Sequence, residues 1–306
     1  MTGALLPIDN EVYTALLETR IDNLPAPVIE IFTKSGILVS SSRDELSELE
    51  HEIDIRSSGK NPETGEFYRV LTTTTCNAAC PYCYEKNLPV QTMKDETAHS
   101  TSSFIQKTVM NNKPYIEWFG GEPLMNSRAI SLICHDLENS GISFFSKITT
   151  NGSLWTDKII LEASDKWNLR SVQITLDGIN EEHERIKGLP QSSFRRIIRS
   201  IHKLADINIR VRIRINHYEG QEHLHFVHWL AKEFSGKPDI SAYVTPGYRA
   251  GKEYSETLMK EVLNLNLYLK DAGLIYQSGK FLPRRIHTGC FACNPHIASS
   301  AAGCMS

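Results

Sequence analysis

The chain has 306 residues, 41% of them apolar, enough for one large α/β domain with appendages or for two domains. Its 33 basic and 36 acidic residues give a net charge of −3 without strong basic clustering, so nucleic acid is not an expected partner. No apolar run approaches the roughly 18 residues of a membrane span. The start, Met1-Thr2-Gly3-Ala4-Leu5-Leu6-Pro7, shows no basic segment followed by an apolar one, so no signal peptide is expected. Seven cysteines, grouped as 76/80/83, 134 and 290/293/304, suit metal sites in a reducing cytoplasm better than a disulfide scaffold.

Residues 1–66 read as a small helical unit. Asp9 caps a helix carrying Val12, Leu16 and Leu17 at helical spacing. Pro25 and Pro27 open a second helix that should stop at Gly36. Ile37-Leu38-Val39 reads as a short strand, and Ser42-Arg43-Asp44-Glu45 as a capping box for a third helix with Leu46, Leu49 and Ile53. Two readings stand for this unit: a helical cap over the next domain, or a docking element for a peptide.

Residues 67–250 alternate strand and helix. The predicted strands are Tyr68–Thr75, Tyr115–Phe119, Ser146–Thr150, Ser171–Leu176, Ile209–Ile215 and Ile240–Val244. Between them lie predicted helices at Met93–Met110 with Thr92 as cap, Ser127–Glu138, Asp157–Ser164, Ser193–Ala205 and Glu222–Phe234. Six β-α units in series argue for a parallel sheet with right-handed crossovers. Composition leaves open whether that sheet is flat or curls into a partial barrel.

Directly after the first strand comes Cys76-Asn77-Ala78-Ala79-Cys80-Pro81-Tyr82-Cys83. Three thiols on so short a turn can aim at one point. Thiolate is soft and selects iron–sulfur clusters, zinc or Cu(I) over hard cations. Structural zinc wants four ligands, usually as two separated pairs. Three cysteines on a cubane leave one iron open to a small molecule.

The C-x-x-x-C-x-x-C run at a strand end, followed by Tyr84-Glu85, resembles the signature of the radical S-adenosylmethionine (radical SAM) enzymes. The resemblance implies a partial (β/α)6 TIM-like barrel, a 4Fe-4S cluster on Cys76, Cys80 and Cys83, and S-adenosylmethionine on the open iron. It also implies cleavage of that cofactor to a 5'-deoxyadenosyl radical. Gly120-Gly121-Glu122-Pro123 matches the family stretch that receives the cofactor's amino group, and its glycines allow close backbone approach. Thr149-Thr150-Asn151-Gly152 matches a stretch near the cofactor's ribose and methionine, although Asn-Gly is also a common tight turn. Thr175-Leu176-Asp177-Gly178 keeps the family's hydroxyl at Thr175, and His183 matches the family's histidine. The family's later Arg is replaced by Lys187, with Arg185 close by. Either cation could meet the cofactor carboxylate, but only Arg does so bidentately. Otherwise the segment, with Glu181, Glu182 and Glu184, is a solvated loop. Tyr82 and Asn216 complete the implied cofactor-binding set.

The fifth strand places Arg210, Arg212 and Arg214 on one face, which is unusual for a buried parallel strand. That face either lines a barrel interior and meets anionic groups, or it is wetted on an open edge. His217, His223, His225 and His228 read as surface and cap residues. Cys134, in register with Ile130 and Ile133, reads as a buried free thiol.

Residues 251–306 open with a helix at Ser255–Asp271 closed by Gly273. Cys290, Cys293 and Cys304 follow. They resemble a shortened auxiliary-cluster (SPASM or Twitch) extension of the peptide-modifying subgroup. A zinc site and a tail without metal are the competing readings. The implied organisation is an N-terminal helical or winged-helix-like unit at 1–66, a radical SAM core at 67–250 and a cysteine-containing extension at 251–306. The implied activity is hydrogen abstraction from a precursor peptide, giving a carbon–carbon or thioether crosslink, with a flavodoxin or ferredoxin as electron donor. The alternatives are a formylglycine-forming sulfatase maturase, a non-catalytic partner protein and a zinc-binding structural protein.

Overall fold

The computed structural model describes residues 8–18, 20–34, 37–44, 46–48, 67–110, 113–247, 254–274 and 299–300. They belong to two compact units, one within residues 1–61 and one within 62–276, the latter joined by the short C-terminal strand segment.

In the first unit, α1 (Asn10–Leu17) is capped by Asp9, whose Oδ1 accepts from the Val12 N–H at 2.8 Å. The helix α2 (Ala26–Lys34) starts at the expected prolines. Val12, Leu24 and Phe32 form a small core of their own. The expected strand at Ile37–Val39 is absent: these residues form bends and extended backbone with no ladder partner among the described residues. The cap of the third helical turn is Asp44, not Ser42, because Asp44 Oδ1 accepts from the Ser47 N–H at 3.0 Å. Leu49 and Ile53 lie outside the described residues.

The second unit is built on parallel strands β1 (Phe67–Thr73), β2 (Tyr115–Gly120), β3 (Phe145–Thr150), β4 (Leu169–Thr175), β5 (Arg210–His217) and β6 (Ile240–Pro246). A two-residue strand, β7 (Ser299–Ser300), pairs in parallel with β1. The spatial order is β6-β5-β4-β3-β2-β1-β7. Within β1 to β6 the order never reverses. Right-handed crossovers then put every helix on one side, and the sheet curls as a partial (β/α)6 barrel instead of a doubly wound open sheet.

The helices are α3 (Asp95–Thr108), α4 (Ser127–Asn139), α5 (Asp157–Asp165), α6 (Glu181–Lys187), α7 (Ser193–Asp206), α8 (Leu224–Glu233) and α9 (Glu256–Asp271). Their apolar stripes, such as Phe194, Ile197, Ile201 and Leu204 on α7, repeat at helical spacing and are buried. They face strand residues of the opposite parity, among them Trp118, Ile148, Val172, Ile174, Ile213 and Ile215. Cys134 on α4 is buried in this layer as a free thiol, as expected. The other parity of the strands faces the barrel lumen and mixes polar and charged residues such as Arg69, Glu117, Lys147 and Gln173 with Leu71 and Phe119. Thr92 does not cap α3. It bridges Thr73 of β1, hydroxyl to hydroxyl at 2.9 Å, and Lys94 takes the cap position. Helix α9 docks on β6, where Asn266 accepts from the Val244 N–H at 2.9 Å and donates to its carbonyl at 2.8 Å.

Candidate functional site

The cysteine loop leaves β1 at the C-terminal end of the sheet, where the loops of such barrels carry chemistry. Cys76 is exposed, and Cys80 and Cys83 are half-buried; all three are free thiols. A turn closes the loop, with the Cys83 N–H donating to the Cys80 carbonyl at 3.2 Å. Partial desolvation by the folded loop pushes the Cys76 and Cys80 thiols up, so metal loading has protons to displace. No three ligand side chains among the described residues converge tightly enough for one metal ion. Three soft thiolates on one short loop are the donor set of an iron–sulfur cluster, whereas structural zinc wants four ligands.

Three contacts hold this loop. The first is backbone packing at the end of β2. Gly121 N–H donates to the Thr73 carbonyl at 3.0 Å and Glu122 N–H to the Thr75 carbonyl at 2.9 Å. A Cβ on Gly121 would lie 2.4 Å from the Thr75 oxygen, and one on Gly120, whose φ is +130°, would lie 2.1 Å from the Thr73 oxygen. The two glycines therefore serve close packing against the root of the cysteine loop, a role the sequence does not announce.

The second contact runs through Glu122 and Asn151. Glu122 is fully buried, and its carboxylate accepts from Thr150 Oγ1 at 2.7 Å, Asn151 N–H at 2.7 Å and Leu124 N–H at 3.1 Å. Desolvation pushes its carboxyl up against these bonds. It ties the end of β2 to the end of β3. Asn151 donates to Asn77 Oδ1 at 2.8 Å and approaches Cys76 Sγ at 3.9 Å.

The third contact is a buried polar network on α6. Lys187 is 3% exposed; its Nζ lies 3.0 Å from Asp177 Oδ2 and donates to the Tyr82 hydroxyl at 2.7 Å. Tyr82 donates to Asp177, and Asn216 Nδ2 donates to Asp177 Oδ1 at 3.2 Å. Desolvation pushes Asp177 up, but Lys187 and the Tyr82 hydroxyl outweigh it and hold the carboxyl below its usual range. His183 Nδ1 accepts from the Asp177 N–H at 3.2 Å, and burial lowers its pKa to about 4. The Lys187 carbonyl accepts from the Ala79 N–H at 2.7 Å, and Gly188, at φ +62°, caps α6 against Ala79.

The segment around Glu181–Lys187 is thus a helix with His183 and Lys187 inside, not a solvated loop. Glu181, Glu182 and Arg185 are exposed, while His183, Glu184 and Lys187 are buried, so the charged run conceals an inward face. Arg185 is exposed and sits on the rim of a cavity of about 530 Å³ that also touches Pro81, Tyr82, Asp177, Asn216 and Tyr218. Thr175 lies one ladder step from Arg214, and Arg214 Nε donates to Asn216 Oδ1 at 3.1 Å. Asp177 is the hub that sequence reasoning missed; its place two residues after Thr175 at a strand end was the available signal.

The histidine expectation is corrected for His217, and for His223 in its exposure alone, because His223 holds the N-cap position of α8 but is buried. His217 and His223 are buried and face each other, Nδ1 to Nδ1, at 3.1 Å, and His217 Nε2 meets Glu261 at 2.9 Å. His217 was misread because Glu261 lies far along the chain. His225 and His228 are exposed, as expected. The β5 arginines are not on an edge, because β5 lies between β4 and β6, but Arg210 and Arg212 are exposed to solvent and Arg214 is half-buried. Cys290, Cys293 and Cys304 lie outside the described residues.

The radical SAM superfamily model matches residues 70–230, more than half of the chain. The chain belongs to the radical SAM superfamily. Members of that superfamily are iron–sulfur enzymes whose cofactors are a 4Fe-4S cluster and S-adenosylmethionine. It is 28% identical over 242 residues to the radical SAM cyclopropyl synthase TigE of Paramaledivibacter caminithermalis, covering 67% of this chain and 50% of TigE. It is 30% identical over 119 residues to GTP 3',8-cyclase of Chlorobaculum tepidum, covering 39% and 35%. The chain thus spans half or less of the relatives it matches. Its fold is like that of AdoMet-bound anSMEcpe, with TM-score 0.53, 18% identity and coverage of 67% and 60%. It is also like that of Streptococcus suis SuiB bound to S-adenosylmethionine, with TM-score 0.51, 14% identity and coverage of 85% and 59%. No helix among the described residues is long and apolar enough to cross a membrane.

Proposed function

We propose that the chain is a peptide-modifying radical SAM enzyme of the SPASM/Twitch type that acts on a ribosomally made precursor peptide and forms an intramolecular crosslink. The supporting observation is the three-thiol loop, locked at the C-terminal strand ends beside a cavity and above the barrel lumen. Fold likeness to SuiB bound to its precursor peptide SuiA, at TM-score 0.51, supports a peptide as the substrate class.

In this reading Cys76, Cys80 and Cys83 hold the cluster. When bound, the cluster and S-adenosylmethionine supply a 5'-deoxyadenosyl radical that takes hydrogen from substrate carbon. The strand end at Gly120, Gly121 and Glu122 offers backbone acceptors to the cofactor amino group. Thr175, Asn151 and Asn216 present polar groups to its ribose and methionine. Lys187 is committed to Asp177 and Tyr82, so the cofactor carboxylate falls to Arg185, whose planar fork suits it. The network around Asp177 fixes the loop so that hydrogen abstraction meets an oriented substrate. Cys290, Cys293 and Cys304 are assigned to an auxiliary cluster, residues 1–66 to peptide docking and a cytoplasmic flavodoxin or ferredoxin to electron supply.

The test is anaerobic reconstitution, addition of dithionite and S-adenosylmethionine, and chromatography for 5'-deoxyadenosine. Product formation, with a mass loss of two hydrogens in a co-expressed precursor peptide, is expected. Absence of 5'-deoxyadenosine would overturn this reading and leave a non-catalytic partner or a zinc-binding structural role.

A further inference from the structure

The barrel lumen is strongly cationic. Arg210, Arg212 and Arg214 of β5 alternate with the buried residues Val211 and Ile213, so all three share the lumen face. Their ladder neighbours on β4 are Ser171, Gln173 and Thr175, and on β6 Arg212 and Arg214 face Ser241 and Tyr243. None of these is acidic. Across the lumen, Glu117 is already held by Arg69 at 2.6 Å and Lys147 at 3.0 Å. Three cations, Lys147, Arg210 and Arg212, line the cavity between these strands against two carboxylates, Glu117 and Asp239, and Arg69 and Lys147 already hold Glu117. Among the described residues, neither Arg210 nor Arg212 has an ion pair. Both line a cavity of about 270 Å³ together with Tyr115, Lys147 and Gln173. Like charges at alternate positions on one strand face repel, and an anion in the lumen relieves that cost.

Spacing selects the anion. Alternate residues on a strand repeat at roughly 6.6 Å, twice the rise per residue. An extended peptide laid along β5 repeats its same-face side chains with the same period. Acidic side chains two apart then fall opposite successive arginines, and a guanidinium takes a carboxylate bidentately. A nucleoside triphosphate concentrates its charge and calls for convergent donors at a glycine-rich loop or helix N-terminus. The lumen face of β5 offers neither.

We propose that the lumen binds an extended, acidic segment of the substrate peptide, with Arg210 and Arg212 pairing its carboxylates. This rests on the peptide-modifying reading and names its substrate class.

The experiment uses the reconstituted full chain and fluorescein-labelled Glu-Val-Glu-Val-Glu, its Gln-Val-Gln-Val-Gln counterpart and GTP as probes, followed by anisotropy. The acidic peptide is expected to bind saturably and more weakly as salt rises. The Arg210→Gln/Arg212→Gln double variant is expected to bind it at least about tenfold more weakly, in line with hydrogen bonds between charged groups. Arg212→Lys, which keeps the charge but loses the fork, is expected to fall between. If the double variant loses its iron or its folded melting transition, Arg212→Lys against wild type carries the comparison alone. Equal binding of the glutamine peptide, unchanged binding by Arg212→Lys and a folded double variant, or displacement of the acidic peptide by GTP would each overturn the proposal. Formation of 5'-deoxyadenosine without acidic preference sinks this inference and leaves the radical reading intact. Its absence sinks the radical reading and leaves the binding result to stand for itself.

Discussion

Lys187 and Asp177 are each about 4% exposed at their side chains, so neither charge is screened by solvent. Removing one partner strands the other, which costs roughly 3–5 kcal/mol in buried pairs. Lys187→Met should lower the urea unfolding midpoint accordingly, and adding Asp177→Asn should restore part of the loss; an unchanged midpoint would contradict the network. Arg185 is exposed, so Arg185→Ala should leave the midpoint in place and raise KM for S-adenosylmethionine about tenfold or more, the scale of a lost charged hydrogen bond.

His183 gives a pH signature. Its folded pKa is about 4, below the unfolded value near 6.5, so folding favours the neutral ring. The associated stability is fully present above pH 6.5 and is lost as pH falls toward 4, by up to about 3 kcal/mol. The depressed Asp177 keeps its contribution above its unfolded value near 3.9 and loses it only below that. Urea midpoints measured between pH 7 and 4 should therefore fall for wild type and fall less steeply for His183→Gln. Parallel curves would mean that His183 titrates as it does in the unfolded chain.

At the scale of elements, the decisive contact is between the end of β2 and the root of the cysteine loop. Gly121→Ala places a methyl 2.4 Å from one backbone oxygen and 2.6 Å from another, and neither can rotate away. The variant should bind less than half the iron of wild type and show a lowered melting temperature, measured by iron analysis and calorimetry. The six strands, five of the six helices between them and the three-thiol loop were legible because each rests on local patterning: alternation, helical stripes, caps and fixed spacing. What stayed illegible rests on distant pairings. Glu122 reads as a ligand group until Thr150 and Asn151 are seen to consume it. His217 reads as surface until Glu261 arrives from α9. Lys187 reads as solvated until Tyr82 and Asp177 enclose it. In each case at least one partner lies 28 or more residues away.

At the scale of the whole molecule, one sheet serves two environments. One parity of each strand packs on helices and forms the core; the other lines the barrel lumen, which ends at the cysteine loop. The monotonic strand order makes this possible, because helices on one side leave the opposite face free to curl around a substrate. The fold thus brings the three-thiol loop and the Tyr82–Asp177–Lys187 network together at the C-terminal strand ends, with Arg210 and Arg212 lining a separate cavity.

The most direct test of this account is iron and acid-labile sulfide per chain after anaerobic reconstitution, in wild type and in the Cys76→Ala/Cys80→Ala/Cys83→Ala variant. The account predicts about four irons and four sulfides lost with the three thiols, the content of one cubane. Any further iron kept by the variant would belong to an auxiliary cluster. Zinc without sulfide in wild type, or iron and sulfide unchanged in the variant, would contradict it.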